Sequence, residues 1–79
     1  MKNLIETLTK SKSGHGHFVI SFDHEGERFK TTTTNTMAID AAFDDCYDDE
    51  DNSGRYYDTQ LEAQTALVNE ILRANEIEL

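Results

Sequence analysis

This chain of 79 residues has no proline, one cysteine and, beyond residue 37, only two basic residues. Without proline there is no stiff proline-rich linker, and neither a low-complexity stretch nor an internal repeat divides the chain, so residues 1–79 read as one small acidic domain. Cys46 stands alone, which excludes an intramolecular disulfide and fits a reducing compartment. Its expected place is that of a small buried hydrophobe on a helix. Long apolar runs are missing as well. No stretch approaches membrane-spanning length, and the start Met1-Lys2-Asn3-Leu4-Ile5-Glu6 lacks the apolar run of a secretory signal. A cytoplasmic protein with no membrane partner is the expectation.

The scarcity of basic residues is uneven. Residues 1–37 carry five Lys/Arg against four Asp/Glu, whereas residues 38–79 carry two Arg against twelve acids, a net charge of −10. The second half therefore repels nucleic acid and anionic membranes and attracts basic surfaces. Lys2, Lys10 and Lys12 are too few to reverse that, because useful phosphate affinity needs several contacts. Direct nucleic-acid binding is not expected.

What the chain does have is enough apolar patterning for a modest core, at a length where one core is only just sufficient. Leu4, Ile5 and Leu8 recur at helical spacing and predict a short first helix over 3–12, closed by a glycine-containing loop over 11–16. From His17 the period changes to two, with Phe18, Ile20 and Phe22 on one side and His17, Val19 and Ser21 on the other. Asp23-His24-Glu25-Gly26 reads as a turn, and Glu27 to Thr34 as a second strand with Phe29 on the core face. The two make a β-hairpin over 17–34.

Asn35 or Thr36 caps a second helix whose buried stripe is Ile39, Ala42, Phe43 and Cys46. Arg55-Tyr56-Tyr57-Asp58 is aromatic and short, a third strand or a loop end. Thr59-Gln60-Leu61-Glu62 is a capping box opening a long helix over 60–76, with Leu61, Val68, Ile71 and Leu72 inward and Leu67 flanking. The expected fold is α+β in the order α-β-β-α-(β)-α. It is a two- or three-stranded antiparallel sheet packed by a long C-terminal helix and two shorter ones.

The functional signal is the run of seven acids Asp40, Asp44, Asp45, Asp48, Asp49, Glu50 and Asp51, which no basic residue interrupts. Asp40, Asp44 and Asp48 are spaced four apart, so on a continued helix they share a face, and like charges at that spacing cost about 0.2–0.5 kcal/mol per pair. The later acids approach the negative end of the helix dipole, where anions are disfavoured. Local rules broken together, without visible compensation, point to function.

One reading is a surface for a basic partner protein. A row of carboxylates approaches the charge density of a nucleic-acid backbone, and in composition this segment resembles acidic nucleic-acid mimics. The sharpest version is thus an inhibitor, of phage or mobile-element type, that fills a nucleic-acid-binding groove. Asp40, Asp44, Asp45, Asp48, Asp49, Glu50 and Asp51 supply the field, and Tyr47 and Tyr56, with Tyr57 beside them, are the natural anchors.

A second reading is calcium. From Asp49 to Gln60 the chain resembles an EF-hand loop, with Asp49, Asp51 and Ser53 at the first three ligand positions and Gly54 at the turn. It departs from the pattern at its twelfth position, where Gln60 replaces the bidentate glutamate. The third reading is a solvated acidic face that serves solubility only.

Other chemistry is thin. His15 and His17, with Asp23 and His24, suggest transition-metal ligands, but on a glycine-flanked segment with no cysteine near. Cys46 lies amid negative charge, which disfavours a thiolate. A chain this short has little volume for a water-excluding pocket, so a non-enzymatic protein without a cofactor is expected.

Overall fold

A computed structural model describes residues 2–44, 57 and 59–77 of the chain. Its elements run α1 (Lys2–Glu6), β1 (Thr9–Gly14), β2 (His17–His24), β3 (Glu27–Thr33), α2 (Thr36–Ala42) and α3 (Gln60–Ala74). Among the described residues the three strands form one antiparallel sheet in the order β1-β2-β3. The α+β architecture is as expected, a small antiparallel sheet with a long C-terminal helix and two shorter ones.

The hairpin follows the alternation in the sequence. Phe22 pairs with Phe29, Ile20 with Thr31 and Phe18 with Thr33, which puts all six on the side the helices cover. Ile20 and Phe22 are fully buried and pack with Leu4, Ile39, Leu67, Val68 and Ile71 into one core. Each such side chain contributes about 1.5–3 kcal/mol by leaving water. In a domain stable by only ~5–15 kcal/mol, none is dispensable. The turn is tighter than the four residues expected. Glu25 (φ 52°) and Gly26 (φ 82°) alone link the strands, the two positive φ values of a hairpin whose twist matches its strands.

The first helix is shorter than expected, and the third strand lies where the helix and loop over 3–16 were expected. Leu4 and Leu8 are buried as their spacing implies, but α1 stops at Glu6. Beyond Leu8 the sequence Thr9-Lys10-Ser11-Lys12-Ser13 offers no apolar residue to hold a helix against the core. Its backbone pairs with β2 instead, from Thr9 opposite Ser21 to Gly14 opposite His17, with a bulge between Lys12 and Gly14. All six residues of β1 are exposed. Two lysines on an edge strand discourage pairing with another chain.

The open face of the sheet carries a small polar network. The Arg28 guanidinium meets the Asp23 carboxylate at 3.1 Å and donates from Nη1 to Ser21 Oγ at 2.7 Å. Ser21 Oγ in turn shares a hydrogen bond with Thr9 Oγ1 at 2.9 Å, so the network spans all three strands. Both ionic partners are half exposed, and the pair contributes at most about 1 kcal/mol. Its use is in fixing register. At the same end of β1, the backbone N–H of Asp23 donates to Thr7 Oγ1 at 2.9 Å and ties the α1–β1 junction to β2.

Helix α3 begins as its sequence predicts, with Thr59 Oγ1 accepting from the Glu62 N–H. Its phase differs from expectation. Leu67 is fully buried rather than flanking, and Leu61 is 60% exposed rather than inward. The reason is Gln60 and Gln64, which take the inner side of the first turn; Leu61 follows Gln60 and so lies about 100° further round. The helix ends at Ala74 rather than 76, in a Schellman motif. The Ile77 N–H donates to the Leu72 carbonyl at 2.9 Å and the Glu76 N–H to the Arg73 carbonyl at 3.2 Å. Asn75 Nδ2 donates to the Lys30 carbonyl, fastening this end to β3. No described helix is long and apolar enough to cross a membrane.

Glu76 holds the left-handed conformation (φ 55°) that such a terminus reserves for glycine. Glu76→Gly should therefore raise stability by about 0.5–1 kcal/mol and the melting temperature by ~2–6 °C. Calorimetry checks this, and an unchanged or lower midpoint would show that Glu76 makes a compensating contact.

Candidate functional site

The expected site lies around the end of α2 and the segment after it. Helix α2 forms because Asn35 caps it, its side-chain Oδ1 accepting from the Ala38 N–H at 3.1 Å, and because Ala38, Ile39, Ala41 and Ala42 face the core. It ends at Ala42 with Phe43 as its C-cap. Asp44 is half-buried and lies beyond the helix, while Asp40 is exposed on it. The two carboxylates therefore do not share a continuous helical face, which corrects the expected row at four-residue spacing. Asp45, Tyr47, Asp48, Asp49, Glu50, Asp51 and Tyr56 fall outside the described residues. So do Ser53, Arg55 and Cys46; Tyr57, the described member of the tyrosine pair, is in no strand.

The end of α2 is capped by side chains from α3. Gln60 Nε2 donates to the carbonyls of Ala42 at 3.1 Å and Asp44 at 3.0 Å, and Gln64 Nε2 donates to Ala42 at 3.2 Å. Two neutral amides satisfy carbonyls that a helix end leaves without partners. They also explain the stop, since these acceptors are already engaged and aspartate is a poor helix former. In sequence Gln60 was legible as the first residue of the long helix and as the residue breaking the EF-hand pattern. Its role here depends on tertiary packing and has no local signature.

A second set of bonds runs along the other side of the α2–α3 pair. Thr33, buried at the end of β3, donates its hydroxyl to Glu70 Oε1 at 2.8 Å and accepts from the Asn35 N–H at 3.1 Å. Asn35 Nδ2 then donates to the Tyr57 hydroxyl at 3.1 Å. Glu70, Thr33, Asn35 and Tyr57 thus form one chain of hydrogen bonds. Asp44 and Tyr57, the two described ends of the acid-rich stretch, are each tied to the helical layer.

Lys10 meets the same region from the sheet. Its ammonium lies 5.3 Å from the centroid of the Phe43 ring and 5.7 Å from that of Phe18. A cation at this distance is attracted by both ring faces and, beside the C-cap of α2, by the negative end of the helix. This contact of Lys10 with the end of α2 was invisible in sequence.

The histidine cluster does not assemble. His15 and His17 are exposed, the His24 ring lies tilted beside that of Phe29, and among the described residues no group of three or more metal-ligating side chains comes together.

Removing the caps should be measurable. Gln60→Ala should cost about 1–2 kcal/mol. Gln60→Glu, which aims a carboxylate at two carbonyls, should cost more, read by denaturant unfolding. A calcium-specific recovery of the melting temperature in Gln60→Glu would instead support the EF-hand-like loop of Asp49, Asp51 and Ser53.

No known protein family matches this chain, and neither does any curated protein or solved structure.

Proposed function

We propose that this chain is a non-enzymatic acidic interaction protein that binds a basic partner protein through the end of α2 and the segment following it. The observation that carries the reading is the separation of charge. In the fold, the strands carry Lys10, Lys12, Arg28 and Lys30 against Asp23 and Glu27, a net of +2, whereas α2 and α3 carry Asp40, Glu62 and Glu70 against Arg73, a net of −2. The sequence adds Asp44, Asp45, Asp48, Asp49, Glu50 and Asp51 in the stretch that follows α2 in the chain. A field of one sign at one end of a small molecule steers oppositely charged surfaces and speeds their association.

The tied ends of the acidic stretch support the same reading. Asp44 is held through its carbonyl by Gln60, and Tyr57 through its hydroxyl by Asn35. Ends fixed in advance reduce what must be ordered when a partner docks. In the most specific form the partner is a nucleic-acid-binding protein, whose phosphate-contacting groove the carboxylates occupy. Tyr47 and Tyr56 are the candidate anchors within the stretch.

The test is capture of partners on the wild-type chain and on the triple variant Asp40→Asn/Asp48→Asn/Asp51→Asn. Capture should weaken several-fold in the variant, and equally when salt rises from about 0.05 M to about 0.3 M. Equal recovery of the same proteins across both comparisons would defeat the reading and leave solubility as the role of the acids.

A further inference from the structure

Each edge of the sheet carries backbone groups that point away from it, and the register identifies them. A two-residue hairpin loop closes on a hydrogen-bonded pair, here His24 with Glu27, and such pairs recur at every second residue. Phe22, Ile20 and Phe18 therefore bond towards β3, while Asp23, Ser21 and Val19 bond towards β1. The N–H of Asp23, donated to Thr7 Oγ1, has that direction. Thr9 and Ser11, opposite Ser21 and Val19, are then turned inward to β2. The N–H and C=O groups of Lys10 and Lys12 are turned outward.

We propose that this outer edge of β1 docks an extended acidic segment of a partner protein. The segment adds as a fourth, antiparallel strand with carboxylates at alternate positions. The surface is distinct from the acidic one above, and the inference does not rest on that reading.

Among the described residues β1 is the open edge. On β3 the outward groups belong, by the same alternation, to Arg28, Lys30 and Thr32, and the Lys30 carbonyl is already taken by Asn75 Nδ2. On β1 all six residues are exposed. Among the described residues no hydrogen bond from outside the sheet reaches the backbone of Lys10 or Lys12. The bulge after Lys12 ends the regular stretch, so the docking run is Thr9 to Lys12.

Charge selects the occupant. Strand β1 has two lysines and no acid. Lys10 lies opposite Ile20 and Lys12 opposite Phe18, so both belong to the face of the sheet that the helices cover. Carboxylates two residues apart on an incoming strand share a face and meet both lysines. The Lys10 ammonium is already held over the Phe18 and Phe43 rings, which lowers the cost of fixing it. On the other face the Ser11 hydroxyl suits a threonine or serine between the carboxylates. The lysines that keep a like strand away are thus the groups an acidic strand would meet. A second copy of β1 is the poorer occupant, because antiparallel pairing here would set lysine against lysine. The net charge of −9 opposes acidic partners at long range, but salt screens charges beyond about 8 Å, and cross-strand pairs are closer than that.

The experiment titrates the isotope-labelled full chain with short blocked peptides of alternating threonine and aspartate. Controls replace aspartate with asparagine, replace it with lysine, or N-methylate the aspartate amides, which removes the donors that would face the edge. The acidic peptide should bind about fivefold more tightly than the asparagine peptide, and neither the lysine nor the N-methylated peptide should bind. Hydrogen exchange at the Lys10 and Lys12 amides should slow more than at Thr9 and Ser11, which are already bonded to β2. Lys12→Gln, at an exposed side chain, should keep the melting temperature and cut the preference for aspartate to about twofold. Equal binding of the N-methylated and acidic peptides would reduce the effect to side-chain attraction and overturn the proposal. Equal binding of the aspartate and asparagine peptides, or no binding at all, would overturn it too. So would Lys10 and Lys12 amides already protected in the free protein. Protection that grows with concentration would assign the edge to a second copy, and protection that does not would assign it to another segment of this chain.

Discussion

The close approach of α2 and α3 is the constraint on which the rest of the helical layer depends. Helix α2 has seven residues, too few to stand on intrinsic propensity. What it offers is a small apolar face in which three of the four buried residues, Ala38, Ala41 and Ala42, are alanines; α3 buries Ala63 in turn. Small side chains let two helices lie near the short end of the usual separation. Only at such a separation can the amides of Gln60 and Gln64 reach the Ala42 carbonyl directly. Packing and capping are thus one arrangement. A larger residue at position 42 would lose the cap by pushing the helices apart, even though it buried more surface.

The same pair of helices is registered to the sheet through Thr33. Its hydroxyl is buried and uses both functions, donating to Glu70 and accepting from Asn35. Replacing it with valine would keep the volume and leave two partners unsatisfied, and unsatisfied partners are the expensive outcome. Because Asn35 both caps α2 and holds Tyr57, one buried hydroxyl couples the end of the sheet, the start of a helix and the return of the chain after the acidic stretch.

Much of this fold was legible because its signals are local. The period-two alternation of Phe18, Ile20 and Phe22, the cap at Asn35 and the capping box at Thr59 each act within a few residues, and each appears where its pattern indicated. Strand β1 was not legible. It is an exposed edge strand without apolar alternation, and its identity comes from the backbone of β2 rather than from its own side chains. Leu61 and Leu67 exchanged roles because periodicity alone does not fix helix phase, and two glutamines that cap a neighbour claimed the inner side of the first turn. The site was legible as composition. The acids announced themselves, while the residues that hold the ends of their segment, Gln60, Gln64 and Asn35, carry no charge to draw attention.

That last asymmetry bears on how a chain of net charge −9 tolerates its own crowding. Among the described residues, α2 and α3 carry one base, Arg73, against Asp40, Glu62 and Glu70. Arg28 is committed to Asp23 on the opposite face of the sheet, and Lys10 approaches the end of α2 over two aromatic rings. Helix ends and chain crossings around the acids are instead satisfied by amides and hydroxyls, which bond strongly without cancelling the field. Neutral donors such as Gln60, Gln64 and Asn35 satisfy their acceptors without adding positive charge, so these bonds hold the helical layer together without changing its net charge.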